Sequence, residues 1–412
     1  MNSAPLRHKP FYLLWTAQIT SNIGDQLYSI ALLWYLLSST QSPAALSMIG
    51  MPEMIAGFMF YLWGGMLADR YNPGRMMLQS DIARIAIATT VGVAVMFNLT
   101  WFPFFLAMQF LIGIFSTLFY PARAVALRTI VAPEHLSQAN AILDTTFRTI
   151  RIIAPMSIGI LANLMPIGYL FFMNAFCYVF SAVCVFMLRS SLPNKQAVSD
   201  TVPAVSPTSQ WRETIHELLN KKTLLYILIF CNIGFISWQV IWSVGFPVLA
   251  SQTGEGDPGR LGILFGFYGV GNLLSSLFMI RFRYHNHLRL ITTGWMLCGL
   301  GFLVMGMFHD SSMLVNIGAA IAGLSGPLTG IPTITAIQTQ SSIGNTGKIF
   351  SMNQMIGTIF SLTSSMMGVL FASKLPVTTL FILASGILLV ITVMGYVMSS
   401  RKIKSVESHE SL

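Results

Sequence analysis

Two acids, Asp25 and Glu53, stand inside apolar stretches where a charge is hard to keep. Asp25 lies ~14 residues into a run that begins near residue 11, about 21 Å along a helix rising 1.5 Å per residue. Glu53 lies about 15 Å in from the far end of the next run by the same rise. A carboxylate at such depth is costly unless it is protonated, paired or facing water. Neither run contains a Lys or Arg that could pair with it. Both acids are therefore candidates to titrate, as proton-coupling or cation-binding groups. The plainer alternative is a carboxyl hydrogen-bonded to neighbours such as Gln18, Asn22 or Gln26.

Other charges come in pairs. Asp81 and Arg84 are spaced i, i+3, and Asp144 and Arg148 i, i+4 with Arg151 one turn on, spacings that bring side chains together on a helix. Between two apolar runs lies Gly65-Met66-Leu67-Ala68-Asp69-Arg70-Tyr71-Asn72-Pro73-Gly74-Arg75. Asp69, Arg70, Arg75, Asp81, Arg84, Arg123, Asp144 and Arg148 are expected to form a charge network that holds one conformation and breaks in another. Asp69 is placed to face the start of the eleventh run, an electropositive helix end.

The chain that positions these groups is 54% hydrophobic and 9% charged, with a mean hydropathy of +0.68. Soluble domains carry roughly 25% charged residues, so this is the composition of an integral membrane protein. About twelve runs have spanning length. They lie at about 11–37, 43–68, 76–97, 101–122, 138–163, 168–188, 223–250, 260–280, 289–308, 313–335, 349–372 and 377–399. Apolar residues surround each run, and no sustained period-two pattern suggests a barrel. An even number of spans puts both termini on one side. Of the 23 Lys and Arg, only Arg260 and Lys374 fall opposite, and Arg84, Arg148 and Arg151 lie within spans. The positive-inside rule therefore places both termini in the cytoplasm and accounts for the net charge of +9. No basic cluster is large enough for nucleic acid. The first run is too long for a signal-peptide core.

Residues 189–222 carry Pro193, Pro203 and Pro207 among Ser, Thr and Lys, and read as a cytoplasmic linker. Within it, Trp211–Leu219 reads as a short amphipathic surface helix with Trp211, Ile215 and Leu218 on one face. The expected organisation is a bundle over 1–188, the linker 189–222, a second bundle over 223–400 and a tail over 401–412. Polar and aromatic side chains at mid-membrane depth are pocket candidates: Gln18, Asn22, Gln109, Trp238, Gln239, Trp242, Asn272, Asn353 and Gln354. The 25 methionines suit a deformable pocket, although packing and lipid contact explain most of them. Pro327 and Pro332, with Gly323, Gly326 and Gly330, mark a bendable tenth run. The four cysteines lack metal-ligand spacing, and no nucleotide loop is present, so neither an enzyme nor a cofactor is expected.

The segment from Gly65 to Arg75 resembles the loop after the second helix in the major facilitator superfamily of secondary transporters. Gly65, Leu67, Asp69, Arg70 and Arg75 fit, while Asn72 stands where a glycine is usual and Pro73-Gly74 replace basic residues. Within the superfamily the chain looks most like the macrolide-efflux and siderophore-exporter branch. The residues carrying that likeness are Asn22-Ile23-Gly24-Asp25, Asp81 with Arg84, Pro121-Ala122-Arg123, and Ala154-Pro155 with Gly159. In the second half they are Gly330, Gln338-Thr339 and Gly347-Lys348-Ile349-Phe350-Ser351. Drug antiporters carry an arginine where this chain has Gln109, four residues before Gly113. The second copy of the loop survives as Arg281-Phe282-Arg283-Tyr284-His285-Asn286-His287, without its acid.

The resemblance implies an all-α membrane protein of twelve transmembrane helices in two six-helix bundles. Such proteins hold substrate between the halves near the midplane and alternate access to it. The expected activity is export of an amphipathic small molecule, such as a drug-like compound, siderophore or peptide metabolite, by proton antiport. The expected setting is the bacterial inner membrane, where a monomer meets protons, substrate and lipid. The alternatives are a proton-coupled importer of a small nutrient and a non-transporting membrane partner of transporter origin.

Overall fold

In the computed structural model the described residues are 8–40, 48–192, 207–253, 258–281, 284, 286–372 and 375–410. Arg7, the start of the second run at 43–47, residues 193–206 of the linker, Phe282, Arg283, His285 and Lys374 lie outside them. The described secondary structure is helical. The helices are α1 Lys9–Thr40, α2 Met51–Arg70, α3 Pro73–Met96, α4 Phe102–Ile130, α5 Leu136–Leu164 and α6 Gly168–Leu188. They continue with α7 Pro207–Asn220, α8 Lys222–Val240, α9 Phe246–Thr253, α10 Pro258–Arg281 and α11 His287–Met307. The last are α12 Ser312–Gly323, α13 Ser325–Gln340, α14 Thr346–Ala372 and α15 Val377–Glu410.

Eight segments are apolar and long enough to cross a membrane, with α8 and α9 forming one of them and α12 and α13 another. Helices α1, α2, α5 and α14, of 32, 20, 29 and 27 residues, fall on the remaining four expected runs. Each exceeds or matches the ~20 residues that a bilayer core requires.

Several helix ends follow from local chemistry. Asn72 caps α3, its side-chain oxygen accepting from the Arg75 backbone N–H at 3.1 Å, and Pro73 takes the first helical position. The Asn-Pro pair thus replaces the glycine and basic residues of the family pattern with a cap. The α8–α9 segment passes through a π-helical turn at Ile241–Gly245 that carries Trp242. Such turns interrupt a regular helix and recur at functional sites. The tenth run breaks at Leu324, just before Pro327 in the first turn of α13. Glu53 lies in the first turn of α2, after a turn at Ile49–Gly50, and not deep within a continuous helix as the sequence suggests. Helix α7 forms over the expected amphipathic stretch. Its buried face runs through Thr214 and Leu218, while Ile215 and Leu219 are exposed.

The helices gather into two compact units. Unit 1 comprises Met1–Ala139, Thr146–His216 and Gln338–Met355; unit 2 comprises Asn140–Thr145, Glu217–Ile337 and Ile356–Leu412. In unit 1, α1 packs on α6, α3 on α4 and α6, and α2 on α4. The α2–α4 contact depends on Gly64, where an added Cβ would strike the Thr117 carbonyl. In unit 2, α11 packs on α12 and α15, α10 on α12, and α8 on α11 and α15.

The cap on α3 gives a direct test. Replacing a capping Asn by Ala costs ~1 kcal/mol, and by Gly only a few tenths. Asn72→Ala should lower the melting temperature of the purified protein measurably, whereas Asn72→Gly should leave it close to native. Equal effects of the two would remove the capping role.

Candidate functional site

The side chains that carry charge chemistry in unit 1 sit on α1, α2, α3, α4 and α6. Asp25 lies near the middle of α1, and Tyr178 Oη of α6 donates to its Oδ1 at 2.6 Å. Asp25 is partly accessible despite its depth along the helix. Asp81 and Arg84 are 0% and 1% exposed and meet at 3.0 Å, Arg84 Nη2 donating to Asp81 Oδ1. Ser181 Oγ of α6 donates to the second Asp81 oxygen at 2.8 Å. The Arg84 guanidinium lies over the rings of Phe119 at 4.3 Å and Tyr178 at 5.0 Å. Its charge also acts on Asp25 and Glu53, although it forms an ion pair with neither.

This arrangement regroups the charges expected from sequence. Asp81 lies about 12 Å into α3 at 1.5 Å per residue, so the Asp81–Arg84 pair belongs with Asp25, Tyr178 and Ser181 and away from the α2–α3 loop. The sequence singled out neither Tyr178 nor Ser181. Their spacing with Asn174 (i, i+4, i+7) makes a polar stripe on one face of α6 that sequence alone could have revealed. Glu53 is exposed and accepts from Gln109 Nε2 at 2.8 Å. Gln18 accepts from Arg123 Nη1 and donates toward Asn22 Oδ1 at 3.5 Å. Arg123 also lies over the Tyr120 ring at 5.4 Å.

Asp69 forms a separate cluster. Its two carboxylate oxygens accept from the backbone N–H groups of Gly347 and Lys348, each at 2.8 Å. These are first-turn amides of α14, the electropositive helix end anticipated for this acid. Gly65 and Gly347 approach closely here: a Cβ on Gly65 would come within 2.6 Å of the Gly347 carbonyl oxygen. Arg128, at the end of α4, holds the preceding turn. It donates to Ser341 Oγ at 3.0 Å, to the carbonyls of Ser341 and Ser342 at 2.8 and 3.1 Å, and to Thr346 Oγ1. Gly344 supplies the positive φ of 98° that this turn needs. The Thr214 hydroxyl of α7 reaches Asn345 Oδ1 at 3.1 Å. Arg70 and Arg75 are exposed nearby, and Arg70 lies 5.7 Å from the centre of the Tyr71 ring. No sequence pattern marks Arg128 as the holder of this turn.

In unit 2, Asp144 accepts from Ser276 Oγ at 2.9 Å. Arg148, one turn on along α5, belongs to unit 1. Trp238 and Trp242 stack with ring centres 5.3 Å apart, and Trp238 Nε1 donates to Tyr268 Oη at 2.7 Å. Phe265 packs 4.6 Å from Trp242. Asn272 is buried and donates to the Tyr268 carbonyl at 3.1 Å, and Gln239 is half-buried beside the Trp pair. Of the remaining pocket candidates, Gln354 is bonded to Tyr61 in unit 1 and Asn353 is half-buried beside it.

An all-helical chain of membrane-crossing segments with buried intramembrane charge is the architecture of a secondary transporter. The Transmembrane secretion effector family matches residues 1–412, and the chain belongs to that family of major facilitator transporters. It is 26% identical over 391 residues to the uncharacterized MFS-type transporter YfiS of Bacillus subtilis (strain 168), covering 93% of this chain and 91% of that one. It is 19% identical over 394 residues to the Staphyloferrin A transporter of Staphylococcus aureus (strain NCTC 8325 / PS 47), covering 95% and 96%. Among solved structures, a bacterial homologue of the iron transporter ferroportin in an outward-facing state superposes with a TM-score of 0.72 at 16% identity, covering 95% of this chain and 99% of that one. The human organic anion transporter MFSD10 (TETRAN) does so with 0.73 at 13%, covering 94% and 99%. The fold is that of the major facilitator superfamily, whose members are transporters and not enzymes.

Asp69 holds the start of α14 through two charge-assisted bonds, each worth ~1.5–3 kcal/mol. Asp69→Ala is expected to slow transport several-fold while leaving substrate affinity nearly unchanged, because the residues that bond Asp69 are distinct from those that bond Asp25 and Glu53. Transport assays with a parallel binding measurement check this. A large loss of affinity at native turnover would contradict it.

Proposed function

We propose that the protein is a proton antiporter that exports an amphipathic small molecule across a bacterial inner membrane, with both termini in the cytoplasm. The carrying observation is the set of contacts around Asp25. It sits mid-helix, bonded to the neutral Tyr178 hydroxyl at 2.6 Å, while the neighbouring cation Arg84 is already matched by Asp81 at 3.0 Å. Asp25 is therefore left over after this pair is made. An acid with a neutral hydroxyl as its partner is free to change its charge without breaking an ion pair, which makes it the natural site of coupling.

On this reading Arg84 and Asp81 are a fixed pair that sets the local field, and Asp25 takes up and releases the proton. Glu53, bonded by Gln109, is the second titratable group. The half-buried aromatic side chains of unit 2, Trp238, Trp242 and Phe265, offer flat apolar surface beside Gln239 and Asn272, suited to a ligand with both apolar and polar parts. A relative named for staphyloferrin A makes siderophore-type chelators a first class of compound to test. The Asp69 cap is read as part of the gate: α14 begins in unit 1 and continues into unit 2, so freeing its first turn frees a helix that both units share.

The test uses inverted vesicles, whose cytoplasmic face looks outward, with a panel of lipophilic cations and siderophore-type chelators. Acidifying the lumen should drive accumulation, a protonophore should abolish it, and sodium should have no effect. Asp25→Asn should insert at near-native yield and lose most gradient-driven accumulation. Accumulation at the native rate by Asp25→Asn would remove the coupling role. Uptake into right-side-out vesicles under an outside-acid gradient would make the protein an importer.

A further inference from the structure

Around Asp25 and Glu53 in unit 1 lies a set of buried polar atoms that find no partner among the described residues. Asn174 is 0% exposed, and neither its Oδ1 nor its Nδ2 has a hydrogen-bond partner among the described residues. The Tyr28 hydroxyl, on a residue 3% exposed, is likewise unpartnered, as is Gln109 Oε1. Buried polar groups left so are costly, ~1–3 kcal/mol each, and in native proteins they are met by ordered water where no side chain reaches them.

Their positions form a series. Helices α1 and α6 pack with a fixed register. Asp25 meets Tyr178 at 2.6 Å, and Tyr28 sets its ring edge-on to Phe171 at 5.4 Å. Gly24 lies against Asn174, whose Oδ1 is 2.7 Å from where a Cβ would stand. As Asp25 pairs with Tyr178 and Tyr28 with Phe171, Asn174 falls between them along the helix axes. Tyr28 is one turn beyond Asp25 on α1, about 4.5 Å at 1.5 Å per residue. It also lies within electrostatic reach of Glu53, as Asp25 does. Glu53, bonded to Gln109, is exposed in the first turn of α2. The order is therefore Glu53 with Gln109 at an accessible mouth, then Tyr28, then Asn174, then Asp25 with Tyr178.

We propose that Asp25 and Glu53 exchange a single proton along a hydrated path lined by Gln109, Tyr28 and Asn174. Glu53 takes the proton at the mouth. The proton leaves its carboxyl, water molecules relay it past the Tyr28 hydroxyl and the Asn174 amide, and it arrives on the Asp25 carboxylate. One O–H bond is broken and one formed, and the two acids exchange charge. Neutral donors and acceptors suit this role, since they hold water without trapping the proton. The other titratable and charged groups facing Asp25 are Tyr178 and Cys177 of α6, Arg84 and Asp81 of α3, and Tyr120 of α4. None of them lies between Asp25 and Glu53 in this series. The inference rests on the proton-coupling role proposed above for Asp25 and assigns its route.

The experiment needs no substrate. Infrared spectra of the full-length protein in detergent or lipid resolve the protonated carboxyl band that disappears in Asp25→Asn. After transfer into deuterated buffer, the deuterium shift of that band reports proton access to Asp25. Tyr28→Phe and Asn174→Leu should each slow the exchange at least tenfold, Glu53→Gln should slow it similarly, and Asn174→Ser, which keeps a polar group, should restore much of the rate. If Asn174→Leu fails to fold, Tyr28→Phe carries the test, since it removes a single oxygen. Native exchange rates in Tyr28→Phe and Glu53→Gln would overturn the path while leaving coupling through Asp25 intact. Absence of an Asp25 carboxyl band at every pH would overturn the coupling role itself.

Discussion

Arg84 is 1% exposed, and its guanidinium is met by Asp81 at 3.0 Å and by the faces of Phe119 and Tyr178. Removing one partner of such a pair leaves an uncompensated buried charge, at ~3–5 kcal/mol. The helices around it are arranged to prevent that. Ser181 occupies the second Asp81 oxygen, and the Tyr178 ring covers the cation while its hydroxyl turns to Asp25. A single tyrosine thus ties the fixed ion pair to the acid with no ion pair of its own. The packing of α6 on α1 and α3 sets the chemistry of Asp25.

The other charged cluster works by a different kind of bond. Asp69 and Arg128 both meet backbone groups at the α13–α14 turn, the acid binding first-turn amides and the arginine binding carbonyls and hydroxyls. Bonds of a carboxylate to free helix-end amides are strong yet reversible, because those amides can turn to water when the acid leaves. A buried charge pair and a helix-end cap therefore occur in one unit. On the proposed reading, the buried pair keeps the coupling site intact while the capped helix end rearranges.

The spans were legible because a bilayer demands long apolar helices, and this chain interrupts them with polar turns at nearly every boundary. The Asp69 bond to the start of α14 was legible too, since an acid beside a helix N-terminus has an evident physical partner. The site around Asp25 was only half legible. Depth along a helix follows from residue count, so Asp25 could be placed; rotation about the axis cannot be read that way, so Tyr178, 153 residues away, could not be. For the same reason Asp81 and Arg84 were grouped with the loop charges, although Ser181 and Tyr178 draw them to Asp25. The α2 helix shows another limit. A turn at Ile49–Gly50 shortens what reads as one apolar run and puts Glu53 in a helix's first turn. On α7, the bond from Thr214 to Asn345 turns the buried face away from Ile215.

The central claim is that Asp25 is able to couple transport because Asp81 already neutralises Arg84. Asp81→Asn tests it, since it keeps the shape of the site and leaves Arg84 to seek Asp25 as its counter-ion. In proteoliposomes carrying this variant, with a compound identified in the vesicle screen, equilibrium exchange of substrate should continue. Accumulation driven by a proton gradient should be lost, although Asp25 itself is untouched. Native-rate accumulation by Asp81→Asn would contradict the account.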